Sequence, residues 1–158
     1  MYKKYLTKEQ ALQKLRQYCA SQERSHYEVT QKLWDLGIRK TQHPSIIATL
    51  IEENYLNEER FAKQFASGKA GLKDWGRKKI YYALKERQVS EENIKRALKE
   101  IDEESYLDSI KQMAEKKFAL LKKEEDQVRK KKTIDYLRQK GFEFDLVMKA
   151  VNQIIGKG

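Results

Sequence analysis

Between Gly68 and Gln88 the chain carries Lys69, Lys73, Arg77, Lys78, Lys79, Lys85 and Arg87, opposed within that stretch only by Asp74 and Glu86. Trp75, Tyr81 and Tyr82 are set among these cations. The chemistry available to such a set is recognition. Ammonium and guanidinium groups meet phosphates or carboxylates, and an exposed ring stacks on a base or fills a partner's pocket. A solvated helical face with tyrosines at its edge is the ordinary alternative. A second basic tract follows, made of Lys116 and Lys117, then Lys122 and Lys123, then Arg129, Lys130, Lys131 and Lys132. The intervening "KKEED" reads as a solvated helix end or loop.

Bond-making chemistry finds little support. "GKAGLKDWG" has three glycines but neither the G-K-[ST] ending of a phosphate-cradling loop nor a strand before it, so it reads as a helix-to-helix connection. His26, His43 and Cys19 do not reach the ligand spacing of a zinc module, and no nucleophile has a base and an orienting third group. Cys19 has no second cysteine to pair with and reads as a small apolar helix residue. The reading assigns no catalytic residue, no metal and no cofactor, and it expects a protein that is not an enzyme.

Charge points to the partner. The 158 residues include 34 Lys and Arg against 24 Asp and Glu, a net charge of +10. The excess is +3 over residues 1–56, +4 over 57–102 and +3 over 103–158, so it belongs to the whole chain and not to a detachable tail. Such a chain is attracted to polyanions: nucleic acid, an acidic protein surface, or both. No run approaches the roughly 18 apolar residues of a membrane span, and "MYKKYLTKEQ" lacks the apolar core of a signal peptide. The expectation is a cytoplasmic monomer that does not touch membrane.

The elements that must carry these residues are helical almost throughout. Phe61 and Phe65 stand four apart, and Ile94, Ala97, Leu98 and Ile101 follow i, i+3, i+4, i+7. Leu107, Ile110, Ala114, Phe118 and Leu121 form one stripe; Phe144, Val147, Met148, Val151 and Ile155 form another. No alternating run suggests a strand. Ser25 with Glu28 reads as a capping box, and Asn57 and Ser90, each followed by two acids, read as helix starts. Gly37, Gly141 and the loop around Pro44 read as stops. A helix from near Asp74 would put Ile80, Ala83 and Leu84 in the core and leave Arg77 with Tyr81, and Lys78 with Tyr82, on other faces. Trp34 and Trp75 read as core or repeat-interface residues.

A longer period emerges when "KLWDLGI", "ALKERQV" and "YLRQKGF" are stacked. Leu33, Leu84 and Leu137 align at spacings of 51 and 53 residues, as do Ile38, Val89 and Phe142. An apolar helix precedes and follows each copy. The chain is expected to be all-α, three tandem three-helix repeats over residues 1–56, 57–102 and 103–158, forming an elongated, curved array.

"RSHYEVTQKLWDLGI", "YLNEERFAKQF" and "GRKKIYYALKERQVS" together resemble the RecX family of bacterial recombinase regulators. The family pattern is matched by Arg24, Ser25, Glu28, Lys32, Leu33, Gly37, Tyr55, Leu56, Arg60, Phe61, Ala62, Gly76 and Ile80. The departures are Asn57 and Glu58 in place of two aspartates, Ala83 for a glutamate, and Gln88 for a glycine. The resemblance runs from about Lys8 to Ile155, with the third repeat the weakest.

The resemblance implies a non-enzymatic regulator that lies in the groove of the RecA filament on single-stranded DNA. There it would inhibit ATP hydrolysis, strand exchange and the promotion of SOS-repressor cleavage. DNA contact is implied as well, single-stranded first and double-stranded as a further candidate. The first tract, Lys69 to Arg87 with Tyr81 and Tyr82, then becomes the contact face. Two other readings stay open: a helical regulator that binds DNA or RNA alone, and a scaffold for some other acidic protein.

Overall fold

The computed structural model describes residues 6–156, and among them every regular element is helical. In chain order these are α1 (Lys8–Ser21), α2 (His26–Asp35), a 3-10 turn (Lys40–Gln42), α3 (His43–Glu52), α4 (Glu58–Leu72), α5 (Arg77–Glu86), α6 (Glu91–Lys99), α7 (Glu103–Leu120), α8 (Asp126–Gln139) and α9 (Phe144–Gly156). The all-α expectation holds. The "KKEED" stretch falls in the turn between α7 and α8, apart from Asp126, which opens α8.

Local signals set most boundaries. Ser25 Oγ accepts the Glu28 N–H (3.0 Å), but the Glu28 carboxylate lies beside the Ser25 hydroxyl (3.3 Å), so only half of the expected capping box forms. The complete box is at Thr7 and Gln10, where each side chain binds the other's backbone. Asn57 and Ser90 cap as expected, accepting from the Arg60 and Asn93 N–H groups. Pro44, expected at a stop, sits in the first turn of α3, where its missing N–H is no loss.

The repeat register is visible in three helix ends. Ile38 N–H donates to the Leu33 carbonyl (3.0 Å), Val89 to Leu84 (3.1 Å) and Phe142 to Leu137 (3.3 Å). The residue before each one donates to the carbonyl three back, and adopts a left-handed conformation: Gly37 (φ 74°), Gln88 (φ 60°) and Gly141 (φ 94°). This is the Schellman closure in each copy. Leu33, Leu84 and Leu137 are fully buried.

The chain folds as two compact units, one running up to Phe65 and joined by Leu84–Ala97, the other made of Ala66–Ala83 and the residues from Leu98 onward. In the first, α1, α2 and α3 pack together around Leu15, Val29, Leu33, Ile46 and Leu50. In the second, α7, α8 and α9 pack together around Tyr106, Ile110, Ala114, Leu137 and Val147. The expected α7 stripe is rotated: Tyr106 is buried while Leu107 is 42% exposed. Tyrosine can take the inner position because its hydroxyl finds partners there. Phe144 and Ile155, expected in the α9 stripe, are also exposed, and Val147, Ala150 and Val151 carry that core. Trp34 is half exposed, edge-on to the buried His43 ring (4.8 Å), so it does not lie in the core of its unit.

Candidate cationic interface

The first basic tract is centred on the turn between α4 and α5. Asp74 takes a left-handed conformation (φ 55°), which ends α4 and delays α5 to Arg77, three residues later than the sequence suggested. Gly76 then lies against the backbone of Gly141 so closely that a Cβ would overlap it. Gly76 N–H donates to the Lys140 carbonyl (2.7 Å) and Lys78 N–H to the Gly141 carbonyl (3.0 Å). Lys140 also reaches back with its ammonium to the Lys73 carbonyl (3.0 Å). The turn is therefore shaped by residues more than sixty positions away in sequence.

Arg77 is committed inside this unit. Its Nη1 donates to Glu143 Oε2 (2.7 Å), its Nη2 donates to Glu103, and its guanidinium lies 4.0 Å over the Tyr106 ring. Partial burial works against the charge, but the hydrogen bonds to Glu143 and Glu103 outweigh it and hold the pKa above the ordinary guanidinium value. Tyr106 accepts the Arg77 N–H (2.9 Å) and donates its own proton to Glu143. Burial, reinforced by that bond to Glu143, pushes the phenol well above its usual range. Reckoning partners from the tract alone missed Glu103 and Glu143. No local signal marks them; Glu143 follows "KGF", which stands where "LGI" and "RQV" close a helix in the two earlier copies.

The remaining residues of the tract fall into two groups. In the same unit as Arg77, Lys73, Lys78 and Tyr82 are exposed, Tyr82 by 65%. Tyr81 is half-buried with its ring edge-on to Tyr82 (5.3 Å). Lys69 and Lys79 both approach Trp75, with ammonium groups 4.8 and 4.4 Å from its ring centre, a cation–π arrangement. Lys85 and Arg87 belong to the other unit. There Lys85 pairs with Glu91 (2.9 Å), and Arg87 lies over the Phe65 ring (4.7 Å) with Glu28 at 3.9 Å.

The second tract is more fully engaged. Arg129 donates to the Phe118 carbonyl (2.8 Å), stacks on the Phe118 ring and lies 3.6 Å from Asp126. Lys117 lies over the Tyr136 ring and Lys132 pairs with Glu124 (2.9 Å). Lys116 and Lys131 are exposed, and Lys130 is half-buried. Much of this tract closes the α7–α8 corner.

Among the described residues no three His, Cys, Asp or Glu side chains are grouped to hold a metal, and no helix is long and apolar enough to cross a membrane. The fold defines an all-helical protein built of three-helix repeats. Residues 57–98 match the second three-helix domain of RecX, and residues 103–151 match the third. The chain belongs to the RecX family of regulatory proteins.

Among its relatives are the regulatory protein RecX of Clostridium perfringens (strain 13 / Type A), 33% identical over 129 residues, or 80% of this chain and 60% of that one. RecX of Vibrio parahaemolyticus is 30% identical over 126 residues, covering 80% of this chain and 79% of the relative. The chain spans 60% of the Clostridium relative and 48% of RecX from Leuconostoc mesenteroides. The crystal structure of RecX from Lactobacillus salivarius superposes with a TM-score of 0.85 over 92% of this chain and 95% of that one. A second RecX crystal structure gives 0.84 over 92% and 73%. At 21% and 19% identity these two likenesses speak for the fold.

Proposed function

We propose that this chain binds the RecA filament assembled on single-stranded DNA and inhibits its recombinase, ATPase and co-protease activities. In doing so it modulates recombinational DNA repair and the SOS response. It acts as a cytoplasmic monomer without catalysis or a cofactor of its own. The observation that carries this reading is the segment running from the α4–α5 turn into α5, where Lys73, Lys78 and Tyr82 are exposed. Cations beside an exposed ring suit a surface of phosphate, acidic side chains and stacked bases. Lys69, Lys79 and Trp75 extend it, while the second tract contributes Lys116, Lys130 and Lys131.

The test is ATP hydrolysis by RecA filaments on single-stranded DNA, followed as the purified chain is added at substoichiometric ratios. Hydrolysis should fall. Unchanged hydrolysis up to saturating chain would overturn the reading. The same lysines also support nucleic-acid binding without a recombinase. Tight binding to bare DNA, with affinity falling steeply as salt rises and no effect on the filament, would put that reading in its place.

A further inference from the structure

The turn is closed on its α4 side by its own backbone, Trp75 N–H donating to the Lys69 carbonyl (3.0 Å), but the start of α5, which presents Lys78, has little of its own to hold it. Asp74 is in the left-handed region, and Gly76 has no side chain with which to cap α5. The first turn of α5 holds no acid and opens with Arg77, Lys78 and Lys79, at the helix end where aligned peptide dipoles disfavour positive charge. What fixes it arrives from residues 103–143: the Lys140 and Gly141 carbonyls, the Tyr106 hydroxyl, and the carboxylates of Glu103 and Glu143.

We infer that Glu143 and Tyr106 are positioning residues for this turn: acting through Arg77, they fix the backbone from Gly76 to Lys78 and so aim Lys78 at the polyanion. The identity of that polyanion rests on the proposed function; the coupling within the unit does not.

The geometry is over-determined. One oxygen of Glu143 takes the guanidinium and the other takes the Tyr106 hydroxyl proton, while the same hydroxyl accepts the Arg77 N–H. The hydroxyl thus joins the backbone and, through Glu143, the side chain of one residue. The Tyr106 ring already packs edge-on against Phe142 (5.5 Å), a contact that phenylalanine would make equally well. What the oxygen adds is the link to the turn. Nor would lysine serve at position 77, since a single ammonium does not reproduce the fork that meets Glu143 and Glu103 together.

The experiment uses a Trp34→Phe background, which leaves Trp75, two residues before Arg77, as the lone tryptophan reporter. Into it go Tyr106→Phe, Arg77→Lys and, as a comparison outside the network, Lys78→Ala. At a temperature where circular dichroism shows each variant fully folded, three quantities are read. They are Trp75 emission, amide exchange at Gly76 and Lys78, and affinity for a fluorescein-labelled oligothymidylate and for RecA filaments. In Tyr106→Phe and Arg77→Lys the two amides should exchange faster, the emission should shift, and affinity should fall by about threefold to tenfold, the equivalent of one net hydrogen bond. Lys78→Ala should lower affinity and leave emission and Gly76 exchange as in the parent. If Tyr106→Phe and Arg77→Lys change thermal stability alone, with exchange, emission and affinity at parental values, the inference is overturned. If the parent binds neither probe, the proposed function fails, while exchange and emission still decide the coupling.

Discussion

Gly76 and Gly141 lie in backbone contact. Gly76 donates to the carbonyl of Lys140, the residue before Gly141, at 2.7 Å, and neither glycine has room for a Cβ. Gly141 would meet Lys79, and its φ of +94° is strained for any L side chain. Gly141→Ala should therefore destabilise the fold by roughly 2 kcal/mol or more, from the left-handed backbone and the overlap together. Urea unfolding followed by circular dichroism measures it.

Gln88 occupies the position that Gly37 and Gly141 fill in the other copies, at φ 60°. A left-handed non-glycine residue costs about 1–2 kcal/mol, and glycine recovers most of that after its own entropy loss of about 0.5–1 kcal/mol. Gln88→Gly should raise stability by about 0.5–1 kcal/mol and move the urea midpoint upward without changing the slope. A lower midpoint would contradict the account.

Leu84 is fully buried and accepts the closing hydrogen bond from Val89 (3.1 Å). Leu84→Ala should cost roughly 2–5 kcal/mol, as large-to-small core changes do. Unfolding that begins at the wild-type midpoint would count against the register shared by Leu33, Leu84 and Leu137.

Arg77 and Lys78 are neighbours with different work, and single substitutions should separate them. Lys78 is exposed, so Lys78→Ala should change stability by less than about 0.5 kcal/mol, reduce affinity for single-stranded DNA, and lower the log–log salt slope by about 0.7 if one phosphate contact is lost. Arg77→Ala strips the cation from Glu143 and Glu103 and should lower stability by about 2 kcal/mol. The sequence reading assigns both to faces other than that of Ile80 and Leu84 and does not separate them. A melting curve for each single variant distinguishes these outcomes.

The helices, the caps at Ser25, Asn57 and Ser90 and the three-fold period were legible in the residues alone. Helical spacing and capping are local: they depend on side chains three or four positions apart, and Leu33, Leu84 and Leu137 carry the same local pattern in each copy. Tertiary structure decided which face turned inward, choosing Tyr106 over Leu107 because a buried hydroxyl met Arg77 and Glu143 there. It also decided which cations were committed and which were exposed. Arg77 pairs with Glu143 across 66 residues, and no spacing rule reaches that far; an ion pair forms only where the fold has already brought two charges together. The basic tract was visible as composition, but its division into the Arg77 clasp and the outward Lys78 and Tyr82 exists only in three dimensions.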